Sequence, residues 1–274
     1  MRAAICEENC AAAQVEACDR ARYRSSRLRL SKGIPESAAD YQQVRDALKQ
    51  IEAEIRDQGI LAHSVVETGV IFERILQTAI DNQADLLVLG TRAVAKFGRA
   101  ALGTVARTAA GRSPFPILTV PPASNSTFES AGDWNNVLVA TDFSDASLYA
   151  LNRAQAIVRR HLVVLHVTDG SADSWHRSHL EHLRFLTPFN EFRAVPAEHV
   201  VTAGEAGQVI AEHADRLHAD LVVLGSPIDE LHDQDFETST VLQVISNVSC
   251  PVLCVPSARD AALVSVIKEF ALAD

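Results

Sequence analysis

Gly90, Gly103 and Thr104 bracket a loop whose residue types suit one kind of chemistry, the holding of an anion. From Thr91 to Arg112 the chain carries Arg92, Lys96, Arg99, Arg107 and Arg112 and no acidic residue. A glycine closing an apolar run and a Gly-Thr pair opening a helix bring backbone N–H groups, the positive helix end and a hydroxyl to one place, an arrangement suited to phosphate. A solvated basic loop is the other reading of the same composition.

A matching stretch, Ser226 to Asn247, reverses the charge. It holds Asp229, Glu230, Asp233, Asp235 and Glu237 with no Lys or Arg, and such a field repels a polyphosphate. Thr238 stands where Gly103 stands, and Ile228 puts a branched side chain near the loop, so backbone approach is obstructed as well. This half keeps Thr141 and Asp142 after an apolar run, a carboxylate able to accept from a ribose or an amine. The features of one site are divided between two stretches. There is no nucleophile elbow, no Ser/His/Asp spacing and no Gly-Lys-Ser phosphate loop. His176, His179 and His182 are spaced to fan over one side of a helix, where a metal would lack an evident fourth ligand. His166, inside an apolar run, reads as a core or pocket-wall histidine. Cys6, Cys10 and Cys18 have neither paired Cys-x2-Cys spacing nor a nearby His to complete four ligands.

The elements that must position these residues are written twice. Ala84 to Pro121 returns 135 residues later as Ala219 to Pro256, and an ungapped overlay of Gly69–Pro121 on Gly204–Pro256 has 13 of 53 positions identical. The matches gather in DLLVLG and DLVVLG and in the closing PFPILTVP and SCPVLCVP, so the frame is held while the loop between varies. A period this long means tandem domains. In the second copy, Val137–Val139 reads as a buried strand, Ser144 as an N-cap, and Ala150, Leu151, Ala154, Ile157 and Val158 as one helical stripe before a second strand, Leu162–Val167. In the first copy, Tyr41, Val44, Leu48, Ile51 and Ile55 mark a helix that Gly59 stops, followed by a strand over Leu61–Glu67 and a helix through Ile71, Phe72, Ile75, Leu76 and Ala79. Strands alternating with helices at this spacing build an open doubly wound sheet with right-handed crossovers.

Residues 2–32 break the pattern. Shifted by 135, the opening strand, helix and strand of the second copy fall on a stretch with three of the five cysteines and a run of basic side chains from Arg20 to Lys32. The expectation is that no buried strand forms there and that the first copy has lost its opening strand, helix and strand, as from a start upstream or a shifted frame. A divergent disordered arm is the other reading.

The expected organisation is a first domain over 1–121 with 1–34 atypical, a Ser/Asn/Gly-rich linker over 122–135, a second domain over 136–256, and an amphipathic tail over 257–274 docked as a helix. A formal charge of −10 disfavours non-specific nucleic-acid binding by the whole surface. No apolar run approaches the length of a membrane span and no signal peptide is visible, so a cytoplasmic location is expected.

The strands quoted above, with VATDFS and LVVLHV in the second copy, resemble the universal stress protein family in its tandem two-domain form over about residues 36–256. The resemblance implies two Rossmann-like domains of the adenine nucleotide alpha hydrolase-like kind, the first incomplete at its N-terminus. It implies a stress-responsive regulatory or nucleotide-sensing role without assigned chemistry, and ATP as the ligand. The family's phosphate motif, Gly-x2-Gly-x9-Gly-Ser/Thr, falls on Gly90, Ala93, Gly103 and Thr104, so one glycine has become alanine. A Cβ at a left-handed position costs on the order of 1 kcal/mol. By resemblance the nucleotide-binding set is Gly90, Ala93, Gly103, Thr104 and Val105 of the first copy with Thr141, Asp142 and Gly225 of the second. The final strands, Ile117–Val120 and Val252–Val255, are implied to pair across a pseudo-twofold axis, within the chain or in a homodimer. A slow ATP-hydrolysing enzyme and a scaffold with vestigial pockets are the competing readings.

Overall fold

The structure is a computed structural model that describes residues 2–6, 13–18, 38–91, 103–121, 134–170, 173–187, 195–226 and 239–257. The linker segment 122–133, the tail from 258, Cys10, Ala93 with the basic residues 92–99, and the acidic run 228–237 lie outside the described residues. The chain divides into two compact units, each built on its own five described strands.

In the first unit β1 (Arg2–Cys6), β2 (Ala13–Cys18), β3 (Leu61–Val66), β4 (Leu86–Gly90) and β5 (Ile117–Val120) lie in the order β3-β2-β1-β4-β5. Helix α1 (Ala38–Asp57) leads into β3, α2 (Ile71–Asp81) into β4, and α3 (Thr104–Arg112) into β5. Helix α1 forms for the predicted reason. Val44, Leu48 and Ile55 bury one stripe against Ile60 and Ala62, with Ile51 packed alongside. Gly59, at φ +80, ends it, its amide donating to Arg56 O at 2.8 Å. Nothing lies within 4 Å of where its Cβ would be, so the backbone angle alone calls for glycine. The helix is tied to the sheet by Glu52, whose Oε2 accepts from the amide (2.9 Å) and hydroxyl (2.6 Å) of Ser64, and by Arg56, whose Nε donates to Ala62 O at 2.9 Å.

The second unit repeats this order. Its strands β6 (Asn136–Ala140), β7 (His161–Thr168), β8 (Ala197–Ala203), β9 (Leu221–Gly225) and β10 (Val252–Val255) lie as β8-β7-β6-β9-β10, all parallel. Between them run α4 (Asp145–Ile157), α5 (Asp173–Leu186), α6 (Ala206–Leu217) and α7 (Thr240–Asn247). The central strands are covered on both faces. Val137, Val139, Val164, Leu165, Val222 and Val223 are at 0% exposure, which is why these strands read as unbroken apolar runs. The duplication extends to single backbone angles: Gly69 and Gly204, equivalent in the repeat, both turn at positive φ, +136 and +146.

The parallel strand-helix-strand opening of the second copy is not repeated in the first, as expected, but the expectation that no strand forms over 2–32 needs correcting. Two strands form there, at Arg2–Cys6 and Ala13–Cys18. Strand β1 takes the place of β6, parallel to β4, but in a pairing one residue removed from that of the second unit. Ala3 faces Leu86, whereas the repeat would set Arg2 there. Strand β2 takes the place of β7 but runs antiparallel to both β1 and β3. Only residues 7–12 separate β1 from β2, too few for the dozen or more that a parallel crossover needs, so the second strand must return antiparallel.

Candidate functional site

In an open parallel sheet the ligand crevice lies beyond the carboxyl ends of the strands. In the first unit β4 ends there, at Gly90, and Thr91 fixes its exit through bonds from its amide (2.8 Å) and hydroxyl (3.2 Å) to Val120 O. Because β4 and β5 are parallel, α3 must carry the chain back from the carboxyl end, which sets its N-terminus on the crevice side. Gly103 O accepts from Arg107 N at 3.0 Å, making Gly103 the N-cap. A glycine there brings no side-chain acceptor to the first turn. Thr104 is exposed and Val105 half-buried at the start of the helix. Arg107 and Arg112 lie along the same helix.

In the second unit the carboxyl end of β6 is lined by residues bonded to one another. Thr141 and Asp142 follow β6, as the sequence predicts, and both are engaged. The Asp142 carboxylate accepts from the amide of Ser144 at 3.0 Å and from its hydroxyl. Burial works to raise this carboxyl, but the bonds from the hydroxyl and amide of Ser144 outweigh it and hold it below its ordinary value. Thr141 Oγ1 accepts from Phe143 N at 3.0 Å and lies 2.8 Å from Ser147 Oγ. Ser147 Oγ donates to Ser144 O at 3.0 Å, so the shared hydrogen comes from Thr141. Ser144 caps α4 by accepting from Ser147 N, and Ser239 caps α7 by accepting from Leu242 N. Gly225 has a packing reason of its own. A Cβ there would sit 2.4 Å from Ser147 N and 2.6 Å from Ala146 C, so β9 can approach the first turn of α4 only with glycine at that position.

The histidines form a cluster that spacing alone did not reveal. His179 and His182 lie on α5 as predicted, with His176 exposed beside them. His182 stacks on Phe143, ring centroids 4.4 Å apart and planes 11° apart, and Phe143 meets His166 at 4.4 Å on another side. His179 sets its ring edge against His166 at 4.6 Å. His166 is buried at 8% exposure, the core or pocket-wall histidine expected. Its Nδ1 lies 2.8 Å from Thr141 O; a carbonyl only accepts, so Nδ1 carries the proton and Nε2 is bare in the neutral ring. Burial lowers its basicity, with His179 and His182 pushing the same way against Thr141 and Asp142. Phe143 reaches this position with φ +65, a left-handed backbone that costs a side-chain-bearing residue roughly 1 kcal/mol. Among the described residues no three His, Cys, Asp or Glu side chains are placed to hold a metal ion. Burial pushes the Cys250 and Cys254 thiols up to about 12, which leaves them inert as nucleophiles.

Two five-stranded α/β units with the same strand order define a tandem protein of the Rossmann-like class. The sequence pattern of the universal stress protein family matches residues 15–121 and 133–256, and the chain belongs to that family. The first match starts inside β2. A universal stress protein A homolog from Pasteurella multocida (strain Pm70) is 30% identical over 142 residues, covering 45% of this chain and 96% of that protein. Among solved structures, a universal stress protein from Archaeoglobus fulgidus DSM 4304 superposes with a TM-score of 0.61 at 19% identity over 80% of this chain and 79% of its own. A putative universal stress protein from Pseudomonas aeruginosa UCBPP-PA14 gives 0.58 at 16% identity, covering 87% and 85%. These likenesses extend the shared fold across both halves of the chain. Among the described residues no helix is long and apolar enough to cross a membrane.

Proposed function

We propose that this protein is a stress-response regulatory module that binds one adenine nucleotide, ATP, in the crevice of a first domain spanning 1–121, and that a second domain over 136–256 keeps the fold without the phosphate loop. The observation that carries this reading is the contrast between equivalent helix starts. In the first unit Gly103 opens α3 without a capping side chain and Thr104 offers an exposed hydroxyl. In the second, Ser239 caps α7 itself and the stretch from Ser226 to Asn247 is acidic. A triphosphate is drawn to the first environment and repelled from the second. Gly90 and Gly103 fit a nucleotide's phosphates, and Ala93 is the departure that weakens the loop. Asp142, held in place by Ser144, and Gly225, packed on α4, answer to the architecture of their own unit.

A thermal shift with ATP and Mg²⁺ tests the reading. Stabilisation by ATP that Gly103→Asp removes is the expected result, because the new carboxylate would occupy and repel the phosphate position. No response to any nucleotide leaves a scaffold acting through protein contacts, and turnover of labelled ATP above a protein-free blank makes it an enzyme. Either outcome overturns the proposal.

A further inference from the structure

We propose that the C-terminal tail, residues 258–274, packs as an amphipathic helix over one face of the first unit's sheet, across β4 and β5, in the place that α4 holds in the second unit. There α4 lies across β6, β9 and β10. The side of β9 that it covers is marked by Gly225, whose Cβ would strike the backbone of Ala146 and Ser147. Side chains alternate along a strand, so Leu221 and Val223 share that side. Val255, the parallel partner of Gly225, extends it onto β10. Leu221, Val223 and Val255 are all closed off from solvent, at 1% exposure or less.

The first unit has this face without the helix. Its β1 and β2 are joined by residues 7–12 alone, so the 13-residue α4 has no counterpart. The crossovers from β3 to β4 and from β4 to β5 both run toward β5, and right-handedness sets α2 and α3 on the other side of the sheet. Helix α1 does share the face. Register carries that face from Ala62 and Ser64 of β3, which meet α1, through β2 and β1 to Leu86 and Val88 of β4. Yet α1 packs on β3 and β2. Burial of β4 and β5 is one-sided as a result. On the far side Leu87, Leu89, Ile117 and Thr119 are at 2% exposure or less. On the near side Val88 and Val120 are only half-buried, although their equivalents in the repeat, Val223 and Val255, are at 0%.

The occupant is supplied by the chain's own end. The repeat closes at Pro256, so residues 258–274 are an addition with no counterpart in the first copy. Leu263, Val266, Ile267 and Phe270 recur at i, i+3, i+4 and i+7, which gives a helix one apolar stripe, while Ser265, Lys268 and Glu269 fall outside it. Such a helix is marginal in water and holds only by burying that stripe. Of the two compact units it is the first that includes Ala262–Asp274. The stretch between β2 and α1 suits the face poorly, because its six basic side chains from Arg20 to Lys32 would bring unpaired charge onto apolar strands.

Two measurements on the full chain test this. In the unaltered protein, nuclear Overhauser effects are expected between the Phe270 ring and the methyl groups of Val88 or Val120. Hydrogen exchange then compares the double variant Ile267→Asp, Phe270→Asp with Ser265→Asp, which adds charge on the opposite side of the same helix. Protection of β4 and β5 is expected to fall about tenfold or more in the double variant and less than about threefold in Ser265→Asp, with β9 and β10 changing less than about threefold in both. Absence of the Overhauser effects overturns the proposal, and so does unchanged protection of β4 and β5 in the double variant or a loss that falls equally on β9 and β10. Overhauser effects that arise only between differently labelled copies in a mixed sample would make a second copy the occupant, which also overturns it.

Discussion

Asp220 illustrates how much one side chain holds in this fold. Its Oδ2 accepts from the backbone amides of Asn135 at 2.9 Å and Asn136 at 2.8 Å, fixing the entry to β6 from the neighbouring strand. Removing a charged acceptor strands both donors, so Asp220→Ala should cost the second unit about 2–3 kcal/mol. Both tryptophans, Trp134 and Trp175, belong to that half of the chain, and the midpoint of urea unfolding followed by their fluorescence reads the loss. In the first unit Glu52 has a comparable place. The hydroxyl of Ser64 leads the interactions that hold its carboxyl below the ordinary value, against the opposing effect of burial, with the Ser64 amide and Arg56 assisting. A lowered carboxyl lends stability above the unfolded value and loses it as pH falls through the folded one. Glu52→Gln should therefore flatten the acid dependence of exchange in α1 and β3 below about pH 4.5. An unchanged profile would assign that dependence to another group.

At the scale of elements, the contact between β9 and α4 separates two meanings of a glycine. If Gly225 serves packing, Gly225→Ala drives a Cβ into the backbone of Ala146 and Ser147 and lowers stability by about 3 kcal/mol with or without nucleotide; chemical denaturation in the two conditions measures this. A loss confined to the nucleotide-bound state would mean a ligand glycine instead. The strands around this contact were legible in the sequence because burial on both faces leaves an unbroken apolar run. The Ser144 cap and the Gly59 stop were legible because each rests on local chemistry. Strand β1 was not legible. Of Ala3, Ala4, Ile5 and Cys6 only Ile5 has the branched side chain that marks a buried strand, and their place in the sheet comes from pairing with β4, a long-range contact that no local pattern encodes. The ring cluster escaped notice for the same reason. His179 and His182 were expected on one side of a helix, but the partner that gathers them, Phe143, is distant in sequence and reaches them through an unusual backbone angle.

At the scale of the molecule, two units with the same strand order have kept their frame and diverged in charge. Most identical positions fall in strands and their flanks, and two pairs, Ile75 with Ile210 and Ala79 with Ala214, fall on the buried face of a helix, where a changed residue would disturb packing. The differences fall in the loops beyond the strand ends, where substitution alters which ligand is welcome and leaves the sheet intact. That separation is why the fold outside residues 2–32 could be read directly, whereas the site could be read only as a contrast between the two halves. The same contrast fixes the decisive number, the count of nucleotides per chain. Titration calorimetry with ATP and Mg²⁺ should give one site per chain, lost in Gly103→Asp and retained in Asp142→Ala; two sites per chain, or binding that survives Gly103→Asp, would contradict the account.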